Sequence, residues 1–204
     1  MTPWDAFARE KVEKIFTEKR SIVDIGGGLR ISKEKGNRYN KKNEWLLPLM
    51  TAVDYKVLDP VSTYHPDIVG DIHKLPFEND SQDAIICVAV LEHIEDPAKA
   101  CGEIYRVLKP GGYAFVYIPF LYYYHAERGY YHDYWRFTKD AAYLLFKNFS
   151  TIEIENVRGA LATWLHISPL GKIKILVKVF NFLDKIFGKI KSNQVSGYNI
   201  FLIK

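Results

Sequence analysis

The sequence predicts an α/β protein with a mostly parallel sheet covered by helices on both faces. Three observations predict it. Apolar runs of strand length alternate with amphipathic stretches of helical period along most of the 204 residues. The run "DAIICVAVLEH", residues 83–93, is almost continuously apolar, as a central strand buried on both faces would be. The stretch "SIVDIGGGLR", residues 21–30, closes a short strand with an acid and three successive glycines. Glycine is favoured where φ is positive or where something must approach the main chain closely.

The elements follow in order. Thr2 and Pro3 form an N-cap and first-turn pair, and Trp4, Phe7, Ala8, Val12, Ile15 and Phe16 recur at helical spacing, which predicts a helix over 3–19. The first strand is 21–25. Residues 29–44, charged and carrying Gly36 and three asparagines, read as an exposed loop. After the short apolar piece "EWLLPLM", "YKVLDP" is a second strand that ends at Asp59 and is stopped by Pro60. "DIVGDI" gives a third, and 83–93 the fourth. Pro97 starts a helix through Ile104, Val107 and Leu108 that stops at "KPGG". "YAFVYIP" is the fifth strand. Thr138 can cap a helix bearing Ala142, Leu145 and Phe146; "STIEIENV" alternates cleanly as a sixth strand. Residues 172–191 form a basic amphipathic helix, and "GYNIFLIK" is the last strand. With no internal repeat or low-complexity linker, 1–204 reads as a single domain, with insertions at 119–138 and 160–191.

Composition narrows the function. A net charge of +4 gives no footprint for nucleic acid, and none is expected as a partner. Cys87 and Cys101 form no CxxC, so neither a disulfide nor a metal centre is expected. The first residues are too charged for a signal peptide, and no run of about 18 uncharged residues could span a membrane. A cytoplasmic location is the expectation.

In open α/β sheets, ligands bind beyond the carboxyl ends of the strands, where strand order reverses. The glycine turn, Asp59, Asp71 and the end of the fourth strand would all open there, onto a nucleotide-like ligand. A dinucleotide site uses G-x-G-x-x-G with an acid about 20 residues on. Gly26 and Gly28 supply the first pair, but Ile31 replaces the third glycine, and Asp59 follows Gly28 by 31 residues. A nicotinamide-dependent oxidoreductase on a Rossmann sheet is therefore one rival reading. A binding protein that kept such a fold without its chemistry is another.

The downstream motifs favour a third reading. "VDIGGG", "VLDP", "GDIHKLPFENDSQDAIICVAVLEHIEDP" and "EIYRVLKPGGYAFVYIP" occur together and in order. Over roughly residues 20–155 this resembles the class I S-adenosylmethionine-dependent methyltransferases, in particular the type 11 small-molecule group. The resemblance implies a Rossmann-like, doubly wound, three-layer α/β/α fold, with seven strands of which the last is antiparallel. It implies S-adenosyl-L-methionine as cofactor. It also implies that the turn at Gly26, Gly27 and Gly28 meets the amino-acid tail and ribose, that Asp24 compensates the ligand ammonium, and that Asp59 accepts from both ribose hydroxyls. Asp71 would meet the adenine amino group, with Ile72 beside the ring and Val88 and Ala89 beneath the cofactor. Two features depart from the family pattern: the charged 29–44 loop, and Arg30 where many relatives have glycine.

Methyl transfer from a sulfonium requires alignment, exclusion of water and, for a hydroxyl acceptor, removal of a proton. The segment "PFLYYYHAERGYYHDYWRFT", residues 119–138, holds six tyrosines and two histidines and is expected to act as a substrate lid. His125 or His132 would be the base, Asp133 would orient an imidazole, and Arg136 would hold an anionic acceptor group. His93, at the end of "LEH", is a further candidate. Segments similar to "HDYWRFT" occur in methyltransferases linked to glycan assembly, which implies O-methylation of a small-molecule or glycan-type acceptor. The helix at 172–191 has an apolar face broader than a solvated helix needs. It fits the sheet, a second copy in a homodimer, or an anionic surface at the inner membrane face.

Overall fold

The computed structural model describes residues 1–31 and 39–204; the middle of the 29–44 loop predicted from sequence, 32–38, lies outside the described residues, and its end enters a 3-10 turn at Lys41–Leu46. The elements in chain order are α1 (Pro3–Glu18), β1 (Ser21–Ile25), α2 (Leu47–Met50), β2 (Asp54–Asp59), β3 (Ile68–Val69), β4 (Gln82–Val88), α3 (Pro97–Val107), β5 (Leu108–Pro119), α4 (Lys139–Leu145), β6 (Thr151–Val157), α5 (Ala160–Ile167), α6 (Lys174–Ile186) and β7 (Gly197–Ile203). The helices begin where the local chemistry allows. Thr2, Asp96 and Thr138 each accept a first-turn N–H of α1, α3 and α4.

The seven strands form one sheet in the order β3-β2-β1-β4-β5-β7-β6. β1 pairs in parallel with β2 and β4, and β4 with β5. β7 runs antiparallel to both β5 and β6. The expected mostly parallel, doubly wound seven-stranded architecture with a reversed last strand is therefore present. Side chains alternate across the sheet as strand geometry requires. Val23, Ile25, Ile85 and Cys87 pack with Ala100, Ile104 and Phe146 on one face. Ile22, Ala84, Ile86 and Phe201 pack with Val12, Ile15 and Phe16 of α1 on the other.

Several elements differ from the sequence expectation. The apolar run 83–93 is not one strand: β4 ends at Val88, Ala89 turns at φ +56°, and Leu91–His93 form a 3-10 turn. Apolar composition cannot mark that reversal, because both halves are buried. β3 is only two residues long. β5 begins at Leu108, through the "KPGG" stretch, with a register shift against β4. The helix expected over 172–191 is α6 alone, flanked by 3-10 turns at Pro169–Lys172 and Lys189–Lys191.

α5 and α6 form a hairpin beyond β6, held by a cap that the local sequence does not contain. Gly159 has no side chain to cap α5. Asp184, buried in α6, accepts instead from the N–H groups of Leu161 and Ala162, both at 2.9 Å. This places a carboxylate at the positive end of α5 and satisfies two of its orphan donors. A Cβ on Gly159 would stand 2.3 Å from Asp184 Cγ, so the cap excludes every other residue there. We expect Asp184→Ala to lower the folding free energy by about 1–2 kcal/mol, as cap removal does, and Gly159→Ala to cost at least as much. Urea unfolding midpoints check this; unchanged midpoints in both variants would show that apolar contacts alone hold the hairpin.

Candidate active site

Strand order reverses between β1 and β4, and both end at one edge of the sheet, with Ile25 beside Leu58 and Cys87. The chain must leave β1 there without colliding with its neighbours. Gly26 and Gly27 turn at φ +76° and +59°. Asp24, wholly buried, holds the turn: Oδ1 accepts from Gly28 N at 3.0 Å, and Oδ2 from Leu29 N at 3.0 Å and the Tyr55 hydroxyl at 2.6 Å. Burial pushes the Asp24 carboxyl up to about 6, against the three donors, which favour its charge. Asp24 thus positions the turn and stands off the cavity wall, so the role toward a ligand ammonium that the resemblance implies for it would act across the turn or through water.

The glycines also answer to protein. A Cβ on Gly28 would lie 2.7 Å from both Cβ and the carbonyl oxygen of Val88, and one on Gly26 would lie 2.5 Å from Val90 Cγ2. Part of the bare main chain thus exists so that β1 and the end of β4 can pack. Arg30, in the position noted as a departure, takes φ +51°, where glycine is favoured.

A cavity of about 1050 Å³ opens over this edge. Gly26, Gly28, Asp59, Asp71, Ile72, Val88 and Ala89 stand on its wall; Gly27 lies in the turn behind it. Asp59 ends β2, almost buried; its Oδ1 accepts from Val61 N at 2.8 Å, and burial raises its carboxyl. No protein donor meets its Oδ2 among the described residues. Asp71 accepts from His73 N at 2.9 Å, with the His73 imidazole at 2.8 Å, and remains exposed.

The far wall is built by 119–138, which is fastened to the 3-10 turn after β4. The Glu92 carbonyl accepts from Tyr134 N and Trp135 N, and the Ile94 carbonyl from the Trp135 indole. His93, His125 and His132 all stand on the cavity. The His125 imidazole lies 3.6 Å from the Glu92 carboxylate, which raises its pKa against partial burial. His132 packs its ring on Tyr134, and its carbonyl lies 2.6 Å from His93 Nδ1.

The expected roles of Asp133 and Arg136 change. Arg136 gives Nη1 and Nη2 to the Asp133 carboxylate at 2.6 and 2.7 Å, and its N–H groups also meet the carbonyls of Tyr122, Tyr123 and Trp135. A guanidinium has five N–H donors; here the segment itself takes them, and none is left for an anionic acceptor. Asp133 accepts from His125 N at 2.8 Å, and its carboxyl falls to about 2: despite partial desolvation, Arg136 and the His125 N–H hold its charge. The pair staples the wall. Its carboxylate reaches His125 Nδ1 only at 3.3 Å.

Sequence reasoning missed Glu92, whose only signal was one acid inside an apolar run. It also missed a second cavity, about 710 Å³, lined by Trp4, Arg9, Tyr117 and Arg158, which meets the first at Gly28, Val88 and Tyr122. His166 of α5 closes on Tyr122 with ring centroids 5.3 Å apart, and burial lowers its pKa to about 4.

Residues 47–116 match the family model described as a methyltransferase domain. The rice chloroplastic 2-methyl-6-phytyl-1,4-hydroquinone methyltransferase 2 is 32% identical over 110 residues, 49% of this chain and 29% of that protein. The ubiquinone biosynthesis O-methyltransferase of Pseudomonas savastanoi is 26% identical over 109 residues, 50% of this chain and 46% of that protein. The chain thus spans less than half the length of these curated relatives. A crystal structure of a SAM-dependent methyltransferase from Archaeoglobus fulgidus superposes with a TM-score of 0.61 at 11% identity, covering 97% of this chain and 91% of that one. With the strand order, the glycine turn and the acids of the cavity wall, these matches make residues 47–116 similar to a methyltransferase domain of type 11 and give the chain the fold of the S-adenosylmethionine-dependent methyltransferases.

Proposed function

We propose that the protein transfers a methyl group to a hydroxyl oxygen of a small-molecule or glycan-type acceptor. The observation that carries the reading is one cavity with the glycine turn, Asp59 and Asp71 at one end and His93 and His125 at the other. Its chemistry fits the cofactor: an acid with an unmet oxygen for a ribose diol, apolar Ile72 and Val88 for a ring, and main chain for a polar tail. S-adenosylmethionine supplies, when bound, a methyl carbon already activated by a sulfonium charge.

The chain's residues supply the rest. Asp59 fixes the ribose through two hydroxyl donors, and Asp71 meets the adenine amino group. Tyr122, shared between the walls of the two cavities, and Tyr117, on the wall of the second, exclude water from the line of transfer. The acceptor enters through the second cavity, where Arg9 and Arg158 replace Arg136 as candidates for an anionic acceptor group. The acceptor's hydroxyl proton leaves toward Glu92, His93 and His125. The names of the hydroquinone and ubiquinone-pathway relatives support placing phenols beside sugars among the acceptors to be tried.

Calorimetry and a labelled-methyl assay test the reading. Purified protein is expected to bind S-adenosylhomocysteine and not NAD, and to label at least one member of a panel of cell-envelope sugars and small phenols. Binding of NAD alone would sink it. Asp59→Ala is expected to weaken S-adenosylhomocysteine binding by about 1 kcal/mol or more, the loss of a charge-assisted pair of bonds; unchanged affinity would remove the ribose role.

A further inference from the structure

Glu92 is an anomaly for a buried acid. Its side chain is 1% exposed, and neither carboxylate oxygen has a hydrogen-bond partner. A buried carboxylate is costly unless its charge is met. Two imidazoles face it, and their tautomers follow from their other neighbours. His93 Nδ1 lies 2.6 Å from the His132 carbonyl oxygen, which can only accept, so Nδ1 carries the proton and Nε2 the lone pair. His125 Nδ1 faces two acceptors, the Tyr123 carbonyl at 3.1 Å and the Asp133 carboxylate at 3.3 Å, against one longer approach from a donor, Arg136 Nη2 at 3.5 Å, so the balance of neighbours puts its proton on Nδ1 as well. Both Nε2 atoms turn toward Glu92 Oε1, at 3.9 Å from His93 and 3.6 Å from His125. Three lone-pair-bearing atoms, all within 4.8 Å of one another, therefore converge with no hydrogen between them.

We propose that Glu92, His93 and His125 bind a divalent first-row transition ion. A His2Glu set with open positions is the donor chemistry of catalytic zinc and related sites. The carbonyls and the carboxylate behind each Nδ1 are the outer partners that orient metal-binding imidazoles. A proton on His125 would meet one lone pair and leave His93 Nε2 facing the carboxylate unmet. The two histidines stand on the wall of the first cavity, so open positions on the ion face the end of that cavity where the reading places the acceptor's hydroxyl. There, with these three groups taken up as ligands, the ion would lower the pKa of an acceptor hydroxyl bound to it, whose proton would then pass to solvent; this role, unlike the binding itself, rests on the methyl-transfer reading. Neither cysteine takes part, which is why the cysteine count gave no sign of the site.

Full-length protein freed of metal with EDTA is titrated with Co²⁺ by calorimetry and visible absorption, then with Zn²⁺. One equivalent of Co²⁺ is expected, with a ligand-field band that Zn²⁺ abolishes. Glu92→Gln and His125→Ala are each expected to weaken binding at least tenfold, while S-adenosylhomocysteine affinity, measured in parallel, reports that they remain folded. Absence of stoichiometric binding, or binding equal to the parent in both variants, overturns the site. Loss of S-adenosylhomocysteine binding by the parent protein would instead overturn the cofactor reading and leave the metal result standing.

Helix α6 carries a separate feature. One side, with Val177, Phe180 and the buried Asp184, faces α5, where Phe180 stacks on Trp164. The opposite side is also apolar: Ile175, Val179, Phe182 and Ile186, spaced by four, three and four, form one stripe. Phe182 is 61% exposed and Ile175 64%. Phe187, Leu170 and Ile167 are exposed as well. Lys174, Lys178 and Lys185 run along one flank, with Lys172, Lys189 and Lys191 at the ends, all exposed. The single acid of α6 is engaged by the α5 cap, so the outer surface of the helix is cationic.

We infer that this face docks on an anionic lipid bilayer, with the stripe in the acyl boundary and the lysines at the headgroups. The charge selects this occupant over a second copy of the chain, whose lysine rows would repel. Co-flotation of the full chain with vesicles of phosphatidylcholine and phosphatidylglycerol tests it. Binding is expected, weaker in high salt and on phosphatidylcholine alone, and lost in Phe182→Ser/Ile186→Ser and in Lys178→Glu/Lys185→Glu. No flotation, or flotation untouched by both double variants, overturns it. So would a dimer, measured by light scattering, that the Phe182→Ser/Ile186→Ser change dissolves.

Discussion

The edge of the sheet where the site lies depends on the buried carboxylate of Asp24. It receives two turn N–H groups and the Tyr55 hydroxyl, and so gathers donors that would otherwise be orphaned as the chain leaves β1. Burial works against its charge and the three donors work for it. With the turn fixed this way, Gly28 can lie against the main chain of Val88, and β1 and β4 can end side by side. The cavity forms where they end. A longer side chain at residue 24 would have no room, and one without acceptors would leave the turn unsatisfied.

A second constraint acts from the opposite wall. Residues 119–138 contain almost no regular structure, yet they are tied down: Arg136 and Asp133 form a paired core, and the Glu92 carbonyl accepts two N–H groups from the segment. Irregular chain packed against a site must have its polar groups met locally. The same ties hold the two imidazoles in the tautomers that turn their Nε2 atoms on Glu92. The fastening of the wall and the electron-rich cluster within it are one arrangement.

Much of this was legible in the sequence because it is local. Period-two and helical patterns place most elements, and the glycine turn, Asp59 and Asp71 fall at strand ends whose position follows from the order of elements. What was not legible depends on partners far along the chain. Arg136 reads as a free cation until the path of 119–138 brings three carbonyls and Asp133 around it. Gly28 reads as a place for a ligand to approach, whereas Val88, sixty residues on, makes the closest demand. Gly159 and Asp184 sit in different helices, and only the hairpin explains either. The run 83–93 reads as one strand because burial on both sides of the Ala89 reversal leaves the same apolar composition.

The hairpin and the site are not independent additions to the sheet. Tyr122 and Tyr123 stack on one another, and both meet His166 of α5. Tyr122 belongs to both cavities, and α5 is clamped to α6 through the Asp184 cap. A continuous path of packed side chains therefore leads from the exposed stripe of α6 to the place where the two cavities join. A bilayer on that stripe would bring lipid to the hairpin, so an acceptor with an apolar tail could stay in lipid while its polar head reached the site. The cost of exposing such a tail to water would be avoided, and the hairpin would contribute to acceptor choice through location as well as through contact.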